Sequence, residues 1–378
     1  MKEPDVFVIA DNVLSPLGKT TAENFSQLKQ NRSGVKLHTD TGFSSQPFYA
    51  SFFDQNESFI EGDAHTYTKF EQLLIASISD ALQNISIAAQ DKKTVFIISS
   101  TKGNIGLLET EKNSPALQKR IALSTSAKLV ADYFGFANQP VIVSNACISG
   151  VLGVITAMRL LKTGQYENAV VAGADVISEF ILSGFQSFQA LSPQVCRPFD
   201  KSRDGLNLGE GAGTIILSTQ KKYDQNVKVL GGSVSNDANH ISGPSRTGEE
   251  LAHAIKKAMQ DAELIAKDID FISAHGTATL YNDEMEASAI GLAGLQSAPL
   301  NSLKGYYGHT LGAAGLIESI ISLQSLKEEL ILPTPGFEEL GVSSPVNVVA
   351  SSLAIKADTF LKTASGFGGC NAAVIFGK

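Results

Sequence analysis

Short runs of β-branched and other apolar residues alternate along the chain with longer stretches of helical period. Val6–Ala10, Val95–Ser99, Val141–Ser144, Ala169–Gly173 and Thr214–Leu217 read as strands in the first half. Val227–Val234, Phe271–Ser273, Val346–Val349, Thr359–Ala364 and Ala372–Phe376 read as strands in the second. Strands that are apolar throughout, separated by helices, predict sheets covered on both faces. The fold class is therefore α/β, built in layers. Two helices are predicted to be buried on nearly every side, one from Cys147 to about Thr163 and one from His309 to about Leu330. Their first turns are apolar around most of the circumference, as in a helix enclosed by a large core.

The order of parts repeats. A strand, a glycine-containing turn at Asn145–Gly150 and a buried helix are followed by Gly209–Gly213 and a last strand. The second half runs from Leu300–Ser302 through Gly308–Thr310 into its own buried helix, then Gly366–Asn371 and a last strand. Two equivalent halves, 1–220 and 221–378, sharing one core, are the expectation.

Composition narrows the class. Of 378 residues, 43% are hydrophobic and 18% charged, which suits a large core and excludes a disordered chain. A net charge of −8 argues against nucleic acid as the partner, because phosphate binding needs a basic face. The N-terminus has no basic stretch leading into an apolar one, so no signal peptide is expected. No run reaches the roughly 20 apolar residues of a membrane span; Ile148–Leu161 is interrupted by Gly150, Gly153 and Arg159. Three cysteines, Cys147, Cys196 and Cys370, make neither a disulfide framework nor a zinc spacing. A reducing, cytoplasmic setting is expected, with no metal and no cofactor.

Cys147 is the candidate nucleophile. It stands where a strand ends and a helix begins, so unpaired N–H groups and the helix dipole favour its thiolate. A small buried apolar role is the alternative. Cys196 reads as part of a polar turn, and Cys370 as a small residue in a glycine-rich one. His275, in Ala274-His275-Gly276-Thr277, and His309, in Gly308-His309-Thr310, both lie at strand-to-turn transitions, where α/β sheets place functional groups. Asp283 and Glu286 share one helix face and are expected to hold Lys304, or else to face their helix dipole. Arg197–Gly205 reads as a structural charge network around tight turns. No dinucleotide fingerprint, phosphate loop or GxSxG elbow is present.

Together these motifs resemble the β-ketoacyl-acyl carrier protein synthases of the elongating Cys-His-His type, over roughly Val6 to the end. The carrying segments are Asn145–Gly150, Arg197–Asp200 with Gly209–Gly213, His275–Thr277 with Asp283 and Glu286, Lys304 with Gly308-His309 and Gly312–Gly315, and Gly366–Gly369 with Asn371. The resemblance implies the thiolase fold, a duplicated five-layered α/β/α/β/α architecture. It implies that Cys147 takes an acyl group from an acyl carrier protein, with the N–H groups of Cys147 and Phe367 as oxyanion hole. His275 and His309 would donate from Nε2 to the malonyl thioester oxygen during loss of carbon dioxide. Lys304 and Glu286 would set the charge around the histidines. Phe367 would gate the site, supported by Asn371. Ile148, Phe367, Gly368, Asn371 and Thr277 are the expected substrate-binding residues. The implied partners are acyl and malonyl phosphopantetheine thioesters on an acidic carrier protein, met by a basic patch near the pocket mouth. A homodimer is expected, a heterodimer with a chain-length partner being the alternative.

Departures from the common pattern point to specialisation. Ile148 follows the nucleophile, where it is expected to narrow the pocket. Gly276-Thr277-Ala278-Thr279 stands for the more frequent Gly-Thr-Gly-Thr, and Lys304 is flanked by Leu303 and Gly305. The segment from Thr101 to Gly135 is shorter than in the fatty-acid enzymes. A synthase of polyene-type or other secondary acyl chains is the first reading, with primary fatty acid elongation second. A thiolase acting on coenzyme A thioesters, and a non-catalytic chain-length subunit, are the rival functions.

Overall fold

The computed structural model describes residues 3–39, 42–54, 57–60, 66–83, 85–223, 226–238 and 243–378. Ten of its strands form two sets of five. The first set is β1 (Phe7–Leu14), β2 (Thr94–Ser99), β3 (Val141–Val143), β4 (Asn168–Asp175) and β5 (Gly211–Ser218). The second is β6 (Lys228–Asn236), β7 (Phe271–Ser273), β8 (Pro299–Asn301), β9 (Thr359–Gly366) and β10 (Cys370–Gly377). Every residue of β2, β4, β5 and β10 is buried. This is why their sequences are continuous apolar runs rather than alternating ones.

The two sets are wired alike. The first has the order β3-β2-β4-β5-β1 and the second β8-β7-β9-β10-β6. In each, the first two ladders are parallel and the last two antiparallel. The sets join where Phe7 of β1 faces Lys228 of β6. A short strand, Asn347–Val348, extends the outer edge beside β8. The expected repeat is thus present in topology, although little of it survives as identity.

Helices fill three layers around the sheets. α1 (Lys69–Leu82) and α2 (Leu123–Phe134) cover the outer face of the first set; Thr68 and Glu71 close a reciprocal cap at the start of α1. α3 (Ser149–Lys162) lies in the middle. α4 (Glu179–Ser187) lies over the mouth of the cavity described below. α5 (Glu249–Asp261) and α6 (Leu280–Leu292) cover the outer face of the second set. α7 (Leu311–Glu328) joins α3 in the central layer, where residues of both helices share a core with both sheets. All residues of α7 from Leu311 to Leu323 are buried.

α3 and α7 meet through glycine. A Cβ on Gly150 would lie 2.6 Å from the backbone nitrogen of Leu316, and one on Gly315 would lie 2.6 Å from Val151 Cγ2. The duplication gives these helices equivalent positions, after β3 and after β8, so their N-termini converge. Gly150→Ala is expected to cost about 1–3 kcal/mol of stability through overpacking, read as a lower urea midpoint, and to part the groups at the two N-termini.

No helix among the described residues is long and apolar enough to cross a membrane.

Candidate active site

Cys147 occupies a sharp turn between β3 and α3. Ala146 adopts φ 44°, a left-handed conformation uncommon outside glycine. Ser149 holds the turn, accepting from Asn145 N–H at 2.8 Å and donating to the Ala146 carbonyl at 2.6 Å. Gly366 lets the opposing strand end approach: its Cβ would lie 2.9 Å from Cys147 N and 3.1 Å from Cys370 Sγ.

Across the central layer, His309 precedes α7 and brings Nε2 to 3.0 Å from Cys147 Sγ. His275 follows β7, and its ring stands edge-on to His309 with centroids 5.4 Å apart. Both histidines are buried. Burial, and after it the charge of Lys304, holds both well below the usual imidazole range, so both are neutral at pH 7. The Lys304 ammonium lies 3.3 Å from His275 Nδ1 and donates to the His275 carbonyl at 2.6 Å. An ammonium has only donors, so Nδ1 must accept and the proton of His275 sits on Nε2. His309 Nδ1 has no partner among the described residues, which leaves its tautomer free to change.

Lys304 has a partner other than the expected one. Neither Asp283 nor Glu286 is its ion-pair partner; Lys304 pairs with Glu318 of α7 at 2.7 Å. α6, which carries Asp283 and Glu286, packs on the outer side of the sheet, whereas Lys304 turns toward the central layer. The two acids hold backbone instead. Glu286 accepts from His275 N–H at 2.8 Å, Gly276 N–H at 2.7 Å and the Thr363 hydroxyl at 2.6 Å. Asp283 accepts from Phe199 and Thr277 N–H at 2.7 and 2.9 Å. They fix the loop that aims His275.

The thiol likewise differs from the expectation of a favoured thiolate. Burial pushes Cys147 up to about 12, against the lowering pull of Lys304 and the Phe367 N–H. The helix dipole is about half a charge, a small effect beside the loss of water around a thiolate. The resting nucleophile is a thiol beside a neutral imidazole. The thiolate is therefore a minor species at pH 7. Iodoacetamide alkylation of Cys147 is therefore expected to accelerate about tenfold per pH unit from about pH 6 to pH 9. Peptide mapping at each pH checks this; a plateau near neutrality would show an activated thiolate.

A cavity of about 360 Å³ opens over these groups. Cys147, His275, His309, Thr277, Phe367 and Asn371 line it, with Phe185, Phe188 and Leu280 toward the mouth. Phe367 is 41% exposed, and its ring rests on Phe185 and Phe188 with centroids 5.9 and 5.4 Å apart. Asn371 braces this loop, accepting from the Ser365 hydroxyl at 2.7 Å and donating to the Gly369 carbonyl at 3.2 Å. Ile148 does not narrow the cavity; it packs into the central core. Gly368 does not line it either and serves the turn, at φ 86°. The lining carries Asp204, Asp237 and Glu250 and neither lysine nor arginine among the described residues, so the expected basic patch is not part of the cavity.

Cys370 opens β10 rather than sitting in the glycine turn, and its thiol donates to the Phe367 carbonyl. Cys196 is fully buried, its N–H donating to Asn207 at 2.7 Å. Asp200 accepts from the N–H groups of Glu338 and Glu339 at 2.7 and 3.0 Å, in keeping with a structural network.

Glu318 and Lys362 escaped the reading of the sequence. Each leaves a signal: the one acid within the enclosed stretch Leu311–Leu326 of a helix apolar on all sides, and a lysine inside a strand otherwise without charge. Such charges are costly unless paired.

The family description "Beta-ketoacyl synthase, N-terminal domain" matches residues 3–223, and "Beta-ketoacyl synthase, C-terminal domain" matches residues 227–338. The 3-oxoacyl-[acyl-carrier-protein] synthase 2 of Vibrio cholerae is 30% identical over 412 aligned positions, covering 100% of this chain and 99% of its own. A putative polyketide beta-ketoacyl synthase 1 of Streptomyces halstedii is 29% identical over 74% of this chain and 70% of its own. Among solved structures, the ishigamide ketosynthase/chain length factor superposes with a TM-score of 0.90 at 26% identity, covering 100% of both chains.

Proposed function

The chain belongs to the β-ketoacyl synthase family, and from that premise we propose that it joins an acyl group on Cys147 to malonyl-acyl carrier protein by decarboxylative Claisen condensation. The observation that carries this reading is the meeting of one thiol and two neutral histidines, with His309 Nε2 3.0 Å from the sulfur and Lys304 behind His275.

The steps follow from the proton inventory. As Cys147 Sγ attacks an acyl thioester, its proton passes to His309 Nε2 and then to the departing phosphopantetheine thiol. The N–H groups of Cys147 and Phe367 receive the carbonyl oxygen of the tetrahedral intermediate. Malonyl thioester then enters. His275 donates from Nε2 to its thioester oxygen, and His309 does the same once its proton has moved to Nε2. The bond to the carboxylate breaks, carbon dioxide leaves, and the electron pair forms the enolate. The enolate carbon attacks the acyl carbonyl and Cys147 departs as thiolate, which takes from water the one proton the overall reaction consumes. Phe367, poised on Phe185 and Phe188, swings between the two half-reactions.

The rivals fit less well. A thiolase needs a second cysteine as base, and the Cys370 thiol is turned to the carbonyls of Phe367 and Asn145. A non-catalytic chain-length subunit has no use for the Cys147, His275, His309 and Lys304 constellation. A specialised, polyketide-like acyl chain is favoured by the putative polyketide beta-ketoacyl synthase 1 of Streptomyces halstedii, 29% identical over 74% of this chain. Fatty acid elongation is favoured by the relative from Vibrio cholerae. The halves 1–220 and 221–378 serve as one catalytic unit, each supplying the N-terminus of one central helix. The edge strand β3, with Ile142 39% exposed, suits pairing with a second subunit. We place the enzyme in the cytoplasm.

Intact-protein mass spectrometry tests the function. Incubation with carrier proteins bearing different acyl groups is expected to give one covalent acyl adduct, discharged as β-ketoacyl product by malonyl carrier protein. The preferred acyl group decides between the two pathways. Absence of any adduct, alone or with a co-purified partner, would overturn the proposal.

A further inference from the structure

Behind His275 lies a second buried lysine. Lys362 stands in β9, directly beside Ser273 of β7 in the parallel ladder. Its neighbours on the same face, Phe360 and Ala364, belong to the central core. Lys362 is wholly buried. Its ammonium lies 2.6 Å from Glu318 Oε2 and donates to the carbonyls of Ser273 and Ala274 at 3.1 and 3.0 Å. The other oxygen of Glu318 takes Lys304 at 2.7 Å. One carboxylate is thus shared by two ammonium groups, one oxygen each. Strand burial alone would be served better by an apolar residue, since a buried ammonium costs desolvation even when paired.

We propose that Lys362 is a positioning residue of the condensation. It occupies the second oxygen of Glu318, so that Lys304 stays within reach of His275 Nδ1, and it ties down the strand end that carries His275. This rests on the condensing reading of the site given above.

The chain of contacts explains why a second lysine matters. Lys304 lies 3.3 Å from His275 Nδ1, a long contact, but 2.7 Å from Glu318. Without Lys362, both oxygens of Glu318 compete for the one remaining ammonium. Lys304 is then drawn away from Nδ1, and His275 is free to carry its proton there. In that tautomer Nε2 has no hydrogen to donate to the developing enolate. The charged and titratable groups facing the histidines are Lys304 after β8, Lys362 from β9, Glu318 from α7, Glu286 from α6 and Cys147 before α3. Lys362 adds to the positive field that keeps both imidazoles neutral.

The test uses the full-length enzyme and Lys362→Met, which keeps length and removes charge. Two half-reactions are read: acyl transfer to Cys147 by intact mass, and carbon dioxide release from malonyl carrier protein. Acylation is expected to change less than about 3-fold, because Cys147 and His309 keep their contact, while decarboxylation falls about 10- to 100-fold. Removing a positive charge raises the histidine pKa values, so the acid limb of the decarboxylation profile moves to higher pH. A loss of packing alone would lower the rate without moving that limb. ¹⁵N spectra of labelled histidine are expected to show His275 protonated at Nε2 in wild type and mixed in the variant. Lys362→Arg, which retains the charge, is expected to keep the wild-type limb and supplies the comparison with Lys362→Gln if the methionine variant does not fold. Lys362→Met and Glu318→Gln are expected to be strongly non-additive, because one acts through the other. Equal loss of both half-reactions with an unmoved limb, or a wild-type profile, would overturn the role of Lys362. A wild-type enzyme that neither loads acyl groups nor releases carbon dioxide would instead overturn the condensing reading itself.

Discussion

Cys147→Ala is expected to accept no acyl group from any carrier protein and to lose condensation by on the order of 10⁴-fold or more. No other thiol can take over. Cys196 is sealed in the interior, and Cys370, although close, has its thiol directed at backbone carbonyls. The turn around Ala146 and Ser149 does not depend on the sulfur, so the variant should fold. Intact mass after incubation with acyl carrier protein checks the loading. Decarboxylation of malonyl carrier protein needs the histidines rather than the thiol and should continue in this variant. An acyl adduct on Cys147→Ala would remove the nucleophile from the mechanism.

The second large effect separates the two histidines. His275→Ala is expected to leave acyl transfer within a few fold of wild type and to lower carbon dioxide release by about 10²–10³-fold, the loss of one well-aimed donor to a developing oxyanion. Its only proton is pinned at Nε2 by Lys304, so it can donate and cannot relay. His309→Ala is expected to damage both half-reactions, because His309 Nε2 touches the thiol and His309 Nδ1 leaves its tautomer free. Measuring loading and decarboxylation separately for each variant checks the division. Equal loss of both steps in His275→Ala would contradict it.

The strands read from the chain lie where the structure has them, with ends shifted by at most four residues. Thr359–Ala364 extends to Gly366, and Val6–Ala10 begins one residue later and runs to Leu14. Where a strand is longer than its apolar run, ladder hydrogen bonds continue past the run that marks it. The two central helices were legible for a stronger reason: a helix buried on all sides must be apolar on all sides, and that pattern is local. Cys147, His275 and His309 were legible because each stands beside glycine at the end of a strand. Glycine marks places where backbones approach closely, as at Gly366, where a side chain would strike Cys147.

The misread residues share a cause. Glu286 and Asp283 follow His275 closely in sequence and were assigned to Lys304, yet they hold the backbone around His275. Lys304 takes Glu318, 14 positions on and in the central layer. Ile148 follows the nucleophile but points into the core, since one residue of helical backbone rotates the side-chain direction by about 100°.

What the chain determined by itself is therefore local and periodic: which segments are strands, which helices are enclosed, that the order of parts occurs twice, and which residues carry reactive groups at strand ends. Only the tertiary structure decided which charge answers which. Lys304, Glu318 and Lys362 come from a turn, a helix and a strand that meet because two halves pack around one central layer. It likewise decided that Cys147 rests as a thiol. Desolvation depends on every atom that displaces water from the sulfur, and those atoms come from all parts of the chain.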